Sequence, residues 1–188
     1  TLKQVKALYS LGGDFKVDVR VLGVGWFEVE ISHPKIKYCV RKIDVDEDGN
    51  KYIVNDHLTV KEEFQGQGLA AWILESEVNN AVRQGFSYII AHAAGSPDTS
   101  SIMNGYYTWP RLGFNGDIND ILDKEVRENV RKEFPKAKTL LDVMKTKKGR
   151  DWWMENGFAV DVRFDLSEGS RSRKVLTKYL EKLKAGRK

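Results

Sequence analysis

The chain has 188 residues, of which 41% are hydrophobic, 31% charged and 11% aromatic, with 16 Gly, 4 Pro and a formal net charge of +4. That is enough for one domain, or one with an appendage, burying about 70% of the surface its unfolded form exposes without disulfides or a structural metal. The single cysteine, Cys39, excludes an intrachain disulfide framework and a Cys-rich zinc module. No apolar run reaches the ~18–20 residues of a membrane span, and residues 1–10 lack the apolar stretch of a signal peptide, so no membrane contact and a cytoplasmic location are expected. The charge is uneven: residues 167–188 carry eight basic and two acidic side chains, leaving the first 166 residues at −2.

In chain order, a helix over residues 1–11 is expected first. From Phe15 to Val60 the dominant period is two, with Val17, Val19 and Val21 alternating with Lys16, Asp18 and Arg20. The segments 26–31, 36–45 and 51–60 continue the alternation, which predicts an antiparallel meander. Gly23 and Gly25 mark a turn or bulge in its first part. Asp48-Gly49 marks a hairpin turn. The same stretch, Asp44-x-Asp46-x-Asp48-Gly49, matches the start of a calcium loop, but position twelve is Asn55 and the flanks read as strands, so the hairpin is preferred.

After Val60 the period changes. Leu69, Trp72, Ile73, Val78, Ala81 and Val82 fall at helical spacing, with Gly85 at a C-terminal cap position. The bulky run 86–91 reads as a buried strand, giving a βαβ crossover joined to the meander and hence a mixed α/β sheet. Further on, Ile118, Leu122, Val126 and Val130 recur every four residues, with Asp117 as a cap and Pro135 past the end. Leu140, Leu141, Val143 and Met144 precede a polar stretch, and residues 158–166 alternate again as a further strand. In residues 171–188, Val175, Leu176, Tyr179, Leu180 and Leu183 form one stripe, predicting an amphipathic helix docked by its apolar side. Its basic face is expected to be solvated; nucleic acid or an acidic partner is the alternative.

The most informative stretch is residues 57–70, where an apolar strand ending in Leu58-x-Val60 leads to Gln65-Gly66-Gln67-Gly68 and a helix starts at once. Two glycines allow a tight turn and close approach of a ligand, and the first N–H groups of a helix have no internal acceptor, so the turn suits an anion such as phosphate. No Gly-Lys-Ser/Thr follows and no third glycine completes a dinucleotide fingerprint.

Gln65-x-x-Gly68-x-Ala70 resembles the pyrophosphate-binding motif of the GNAT acetyltransferase superfamily, Gln/Arg-x-x-Gly-x-Gly/Ala. Downstream, Trp109-Pro110-Arg111-Leu112-Gly113-Phe114 resembles that family's aromatic-x-x-Leu-Gly-Phe element. The wording of residues 104–114 is also similar to GNAT-like proteins of phages and mobile elements. The resemblance implies a GNAT-like acyl-CoA N-acyltransferase fold over residues 1–114, with a helical C-terminal extension over 115–188 that packs on it.

It further implies an enzyme that moves an acetyl group from acetyl-CoA to an amine of unknown class by direct attack. The amides of Gln67, Gly68, Leu69 and Ala70 would receive the pyrophosphate, with Gln65 beside it. The strand edge near Leu58 and Val60 would pair with the pantetheine arm, and Asn104 resembles the family's Asn on the next helix. Where the family places a Tyr acid, this chain has Trp109; Tyr106 and Tyr107, one turn earlier, are the candidate acids and His57 the candidate base. Trp109 also supports a second reading, a GNAT-like binding or structural module without catalysis, with a nucleic-acid or protein partner as one option. Cys39 is read as a small buried hydrophobe, and His33 and His92 lack metal-ligand spacing, so no metal is assigned. Tyr106, Tyr107, Trp109, Trp152 and Trp153 are read evenly as a substrate wall or as core packing.

Overall fold

The computed structural model describes residues 1–100 and 103–186. Thr1 caps α1 (Leu2–Leu8) through a reciprocal pair of bonds with Gln4. The helix stops short of residue 11, because a tightened turn, Leu11 N–H to Tyr9 O at 2.8 Å, replaces further helix. β1 (Lys16–Gly23) and β2 (Trp26–Ser32) form a hairpin over Val24-Gly25; Leu22 is left out of the ladder and Gly25 takes φ 77°, so the two glycines mark both a bulge and a turn.

β3 (Ile36–Val45) and β4 (Lys51–Val60) flank a hairpin that Asp46 organises, its carboxylate accepting from the N–H groups of Asp48 (3.1 Å) and Asn50 (2.8 Å). The Tyr88 hydroxyl donates to the same carboxylate at 2.9 Å, and partial burial together with that bond pushes the Tyr88 phenol up to about 12.

α2 (Leu69–Arg83) crosses to β5 (Tyr88–Ala93). Its end is a Schellman cap: Gly85 at φ 71° donates to Val82 O and Phe86 N–H to Ala81 O. Phe86 is consumed by the cap, so β5 begins two residues later than the run 86–91 suggests. The sheet order is β1-β2-β3-β4-β5-β6, antiparallel throughout except for β4 with β5.

The remaining elements are α3 (Gly105–Arg111), α4 (Ile118–Ile121), α5 (Lys124–Glu133), α6 (Leu140–Val143), α7 (Lys147–Asn156), β6 (Val160–Asp165) and α8 (Arg171–Ala185). The four-residue period from Ile118 to Val130 does not make one helix. Leu122 is extended (φ −109°, ψ 138°) and Asp123 accepts from Val126 N–H at 2.9 Å, a side-chain cap that ends one helix and starts another. The polar stretch before Asp151 is part of α7, entered through the Thr146 cap.

One face of the sheet is buried, through Val29 and Ile31, Ile53, Ile89 and Ala91, and Val162 and Phe164. α8 lays Leu176 and Leu180 into this side, with Tyr179 and Leu183 partly buried and Lys174, Lys178 and Lys182 exposed; Arg187 and Lys188 lie outside the described residues. The opposite face carries charged and aromatic pairs: Tyr52 stacks on Tyr88 at 5.1 Å, Arg163 lies 3.6 Å from the Tyr88 ring centre, and His92 meets Asp161 at 2.8 Å.

A fully buried ion pair joins the sheet to α2. Arg41 Nε donates to Glu77 Oε1 at 3.0 Å, with side-chain exposures of 1% and 0%, and Arg41 Nη1 donates to Val40 O (3.0 Å) and His57 O (2.8 Å). Glu77→Gln leaves a buried guanidinium without its counter-charge, and chemical denaturation should show a loss of about 3–5 kcal/mol. Adding Arg41→Met should recover only part of this, because the two carbonyls then lack donors, at about 1–3 kcal/mol each.

Asp142 ties α6 to α8. Partial burial disfavours its charge, but the N–H groups of Lys138 and Thr139 and the Arg171 guanidinium, 2.7 Å away, hold its carboxyl down to about 2. A carboxyl depressed in the folded state stabilises the fold above its ordinary value near 4, and the contribution disappears as pH falls through about 2. After allowance for solvent screening, Asp142→Asn should cost about 1 kcal/mol at pH 7, and the gap from wild type should close between about pH 4 and pH 2 in urea titrations.

Candidate active site

β4 and β5 run parallel but pair over only four residues, from Tyr52 with Tyr88 to Asn55 with Ala91. Both strands continue: β4 stays paired to β3 as far as Val60 with Ile36, and β5 to β6 as far as Ala93 with Val160. Each is held by its outer neighbour and released by the other, so the sheet splits at its centre beyond Asn55. The register with β3 jumps from Val40–His57 to Arg41–Asn55, leaving Asp56 as a bulged residue where the split starts. A bulge bends its strand and raises its twist, which turns β4 away from β5. The two Arg41 bonds to Val40 O and His57 O hold that distortion in place.

α2 begins at the mouth of the split, at the carboxyl ends of the two parallel strands, where open α/β sheets bind ligands. A 3₁₀ turn, Glu62–Phe64, leads in from β4. Gln65 then folds back, its Nε2 donating to Val60 O at 3.1 Å, while Gln67 Nε2 donates to Glu63 O at 3.1 Å. Gly66 (φ 71°) and Gly68 (φ 77°, ψ 12°) take left-handed conformations that other residues adopt only with strain. Helical bonding starts with Trp72 N–H to Gly68 O at 3.1 Å, so the first-turn amides point along the axis toward the split.

The residues named from sequence fall into two groups. Leu58, Val60, Gln65, Gln67, Gly68, Leu69 and Ala70 line the strand end and the helix start. Asn104, Tyr106 and Tyr107 lie at the start of α3, past the end of β5, where Gly95 bridges Asn104. There they border a pocket of about 380 Å³ with Pro97, Met154 and Glu155. Tyr106 is 1% exposed; burial, then Tyr107, raises its pKa, and its hydroxyl donates to Met154 O at 2.8 Å. Tyr107 is half-buried under the Arg111 guanidinium, 5.2 Å from its ring centre. Asn104 Oδ1 accepts from Thr108 at 3.1 Å, and His57 is exposed on the bulged segment, 3.7 Å from Asp56.

The aromatic group divides. Trp109 and Trp153 are core, Trp109 meeting Phe114 edge-on at 4.9 Å, whereas Tyr107 faces the pocket. Pro110 lies inside α3. Because Pro has no N–H, the carbonyl of Tyr106, four residues back, loses its helical donor. Trp153 Nε1 supplies one instead, at 2.8 Å and fully buried.

Three participants escaped the sequence reading. Arg41 and Glu77 are polar residues at the apolar phase of a strand and a helix, which is the trace that would have revealed them. Asn55 is the third: it is 2% exposed, ends the β4–β5 pairing, and neither its Nδ2 nor its Oδ1 has a hydrogen-bond partner among the described residues.

No family model matches the chain, and no curated protein matches its sequence. Among solved structures, the chain is similar to a GNAT family acetyltransferase from Elizabethkingia anophelis with acetyl-CoA bound, at 12% identity over 82% of this chain and 99% of that one, with a TM-score of 0.41. It is also similar to nourseothricin acetyltransferase (11% identity, 89% and 95%, TM-score 0.40) and to the loading GNATL domain of CurA from Lyngbya majuscula (16%, 88% and 92%, TM-score 0.35). At these identities the likeness is one of fold.

Trp153→Phe keeps the ring's bulk but leaves the Tyr106 carbonyl without a donor. Thermal or urea unfolding should show a loss of about 1–3 kcal/mol, with the fluorescence of the remaining tryptophans marking a looser contact between α3 and α7.

Proposed function

We propose that the protein is an acyl-CoA-dependent N-acetyltransferase. The observation that carries the proposal is the release of β4 from β5 beyond Asn55, directly below the left-handed Gly68 that opens α2. A split of this kind offers an unpaired strand edge to the amides of a pantetheine arm, and the helix start offers N–H groups and a positive dipole end to a pyrophosphate. Gly68, Leu69 and Ala70 would supply those amides, with Gln65 and Gln67 bracketing the turn.

In the reaction, the acceptor gives up one proton to become the free amine, and its nitrogen attacks the thioester carbonyl; a C–N bond forms, the C–S bond breaks, the nitrogen gives up a second proton and the departing thiolate takes one. Tyr107 is the better-placed acid of the two tyrosines, because the Tyr106 hydroxyl already donates to Met154 O. His57, exposed on the bulge beside Asp56, is the candidate base. The pocket between Tyr107, Asn104 and Glu155 would take the acceptor, its carboxylate suiting an amine that arrives as a cation.

The anchored Tyr106 and the buried Trp109 favour a second reading, a module that binds acyl-CoA or a partner without turnover. Calorimetry with acetyl-CoA and a thiol-release assay over a panel of amines separate the two: binding with amine-dependent thiol release supports the enzyme, and no binding at millimolar acetyl-CoA defeats the proposal. Gly68→Glu, which adds a strained side chain and a negative charge at the turn, should abolish binding. Asn55→Leu should divide stability from function, raising stability by about 1–3 kcal/mol through loss of a buried unpaired amide while weakening acetyl-CoA binding.

A further inference from the structure

The two edges of the sheet are finished differently. At the β6 edge, Asn115 exchanges both backbone hydrogen bonds with Arg163, at 2.9 and 2.8 Å. At the other edge, β1 pairs with β2 on its inner side, and no backbone bond to another part of the chain covers its outer side among the described residues. Eight residues of edge strand are thus open, without proline, and Val21 and Leu22 are 59% and 42% exposed. Such an edge is a template for another strand.

The charges on β1 select the partner. Asp18 and Arg20 stand on one face, symmetrically about Val19. Across the hairpin Asp18 is opposite Glu30, a like-charge pair, and it has no cation partner among the described residues, whereas Arg20 reaches Glu28 at 3.2 Å and Glu30 at 3.9 Å. If two copies of β1 pair antiparallel about a two-fold axis normal to the sheet, three central registers keep the helices of both copies on one side. Centring on Asp18 sets Asp18 against Asp18 and Lys16 against Arg20, and centring on Arg20 sets Arg20 against Arg20. Centring on Val19 sets each Asp18 against the other copy's Arg20, twice, with Val17 covering Val21 on the opposite face.

We infer that β1 is a homodimer interface, in which two copies join edge to edge about Val19 to make one continuous twelve-stranded sheet. A lysine-only edge would repel its own kind; this one is self-complementary.

Sedimentation equilibrium at up to about 100 µM chain should show twice the monomer mass. Asp18→Arg and Arg20→Asp should each weaken self-association by about tenfold or more, since each turns both opposite-charge contacts into like-charge ones. Mixing the two variants should restore a dimer, as should the double exchange D18R/R20D, because both recreate opposite charges across the axis. Circular dichroism confirms that each variant is folded. Independently of charge, V19C should form an intermolecular disulfide under mild oxidation and V17C should not, because only Val19 faces its own copy at the ~4.5–5.5 Å Cα separation of opposed residues. A wild-type monomer at the highest concentration, a dimer indifferent to both charge variants, or equal crosslinking at positions 17 and 19 would overturn the inference.

Discussion

One buried guanidinium sets the geometry on which the rest of the molecule depends. Arg41 reaches from β3 to Glu77 on α2 and, through Nη1, to the carbonyls of Val40 and His57, the residue pair that immediately follows the Asp56 bulge. Those carbonyls are what a strand loses when an extra residue interrupts its ladder, and a buried carbonyl without a donor is costly. A single side chain therefore satisfies the bulge and, by the same contact, fixes α2 against it. Glu77 lies eight residues into α2, about 12 Å along the axis from its start, so the pair determines where the amide end of the helix stands relative to the split strand. Burying two charges seldom adds net stability. The role of the pair is placement, because α2 can sit in only one position that keeps both charges paired.

The strands, the crossover and the helix start were readable because each follows a local rule. Alternating valines make β1, a glycine at φ 71° ends α2, and two glycines precede its first turn. What was not readable depends on partners distant in sequence. Asn55-Asp56-His57 contains no glycine, and the extra residue is defined only against Val40 and Arg41 of β3. The division of residues 118–133 into α4 and α5 failed to appear in the period because the apolar spacing persists across the break. Leu122 is buried from an extended backbone while Asp123, a residue with a competing side-chain bond, restarts the helix. Asn55 shows the same limit within the site, since its identity is visible but its isolation from donors and acceptors is a property of the packed structure alone.

The aromatic cluster illustrates how one defect organises its surroundings. Proline inside α3 removes the donor for the Tyr106 carbonyl, and the only remedy in a dry interior is a donor from elsewhere. Trp153 provides it from α7, and the Tyr106 hydroxyl returns a bond to Met154 on the same helix. These two bonds of 2.8 Å, running in opposite directions, fasten α7 to α3. Tyr107, on the neighbouring position of α3, and Glu155, on the neighbouring position of α7, are thereby brought to one pocket. The choice between wall and core was thus not a choice for the group as a whole, since the core members position the wall members.

The split itself follows from the way the sheet is assembled. β1 to β4 form one antiparallel half and β5 with β6 another, and the parallel ladder between the halves is four residue pairs long. At the closed end the joint is reinforced: Ser87 N–H donates to Lys51 O at 2.9 Å, the Lys51 ammonium reaches Gln84 O and lies 5.2 Å from the Phe86 ring centre, and Tyr88 bonds Asp46. At the other end no comparable clasp joins β4 to β5 among the described residues, and the bulge adds twist to β4 alone. Strands anchored at one end and twisted unequally diverge toward the other. The opening is therefore built into the ladder rather than carved by side chains, and its width is governed by the clasp below and by Arg41 above, neither of which lies on its walls.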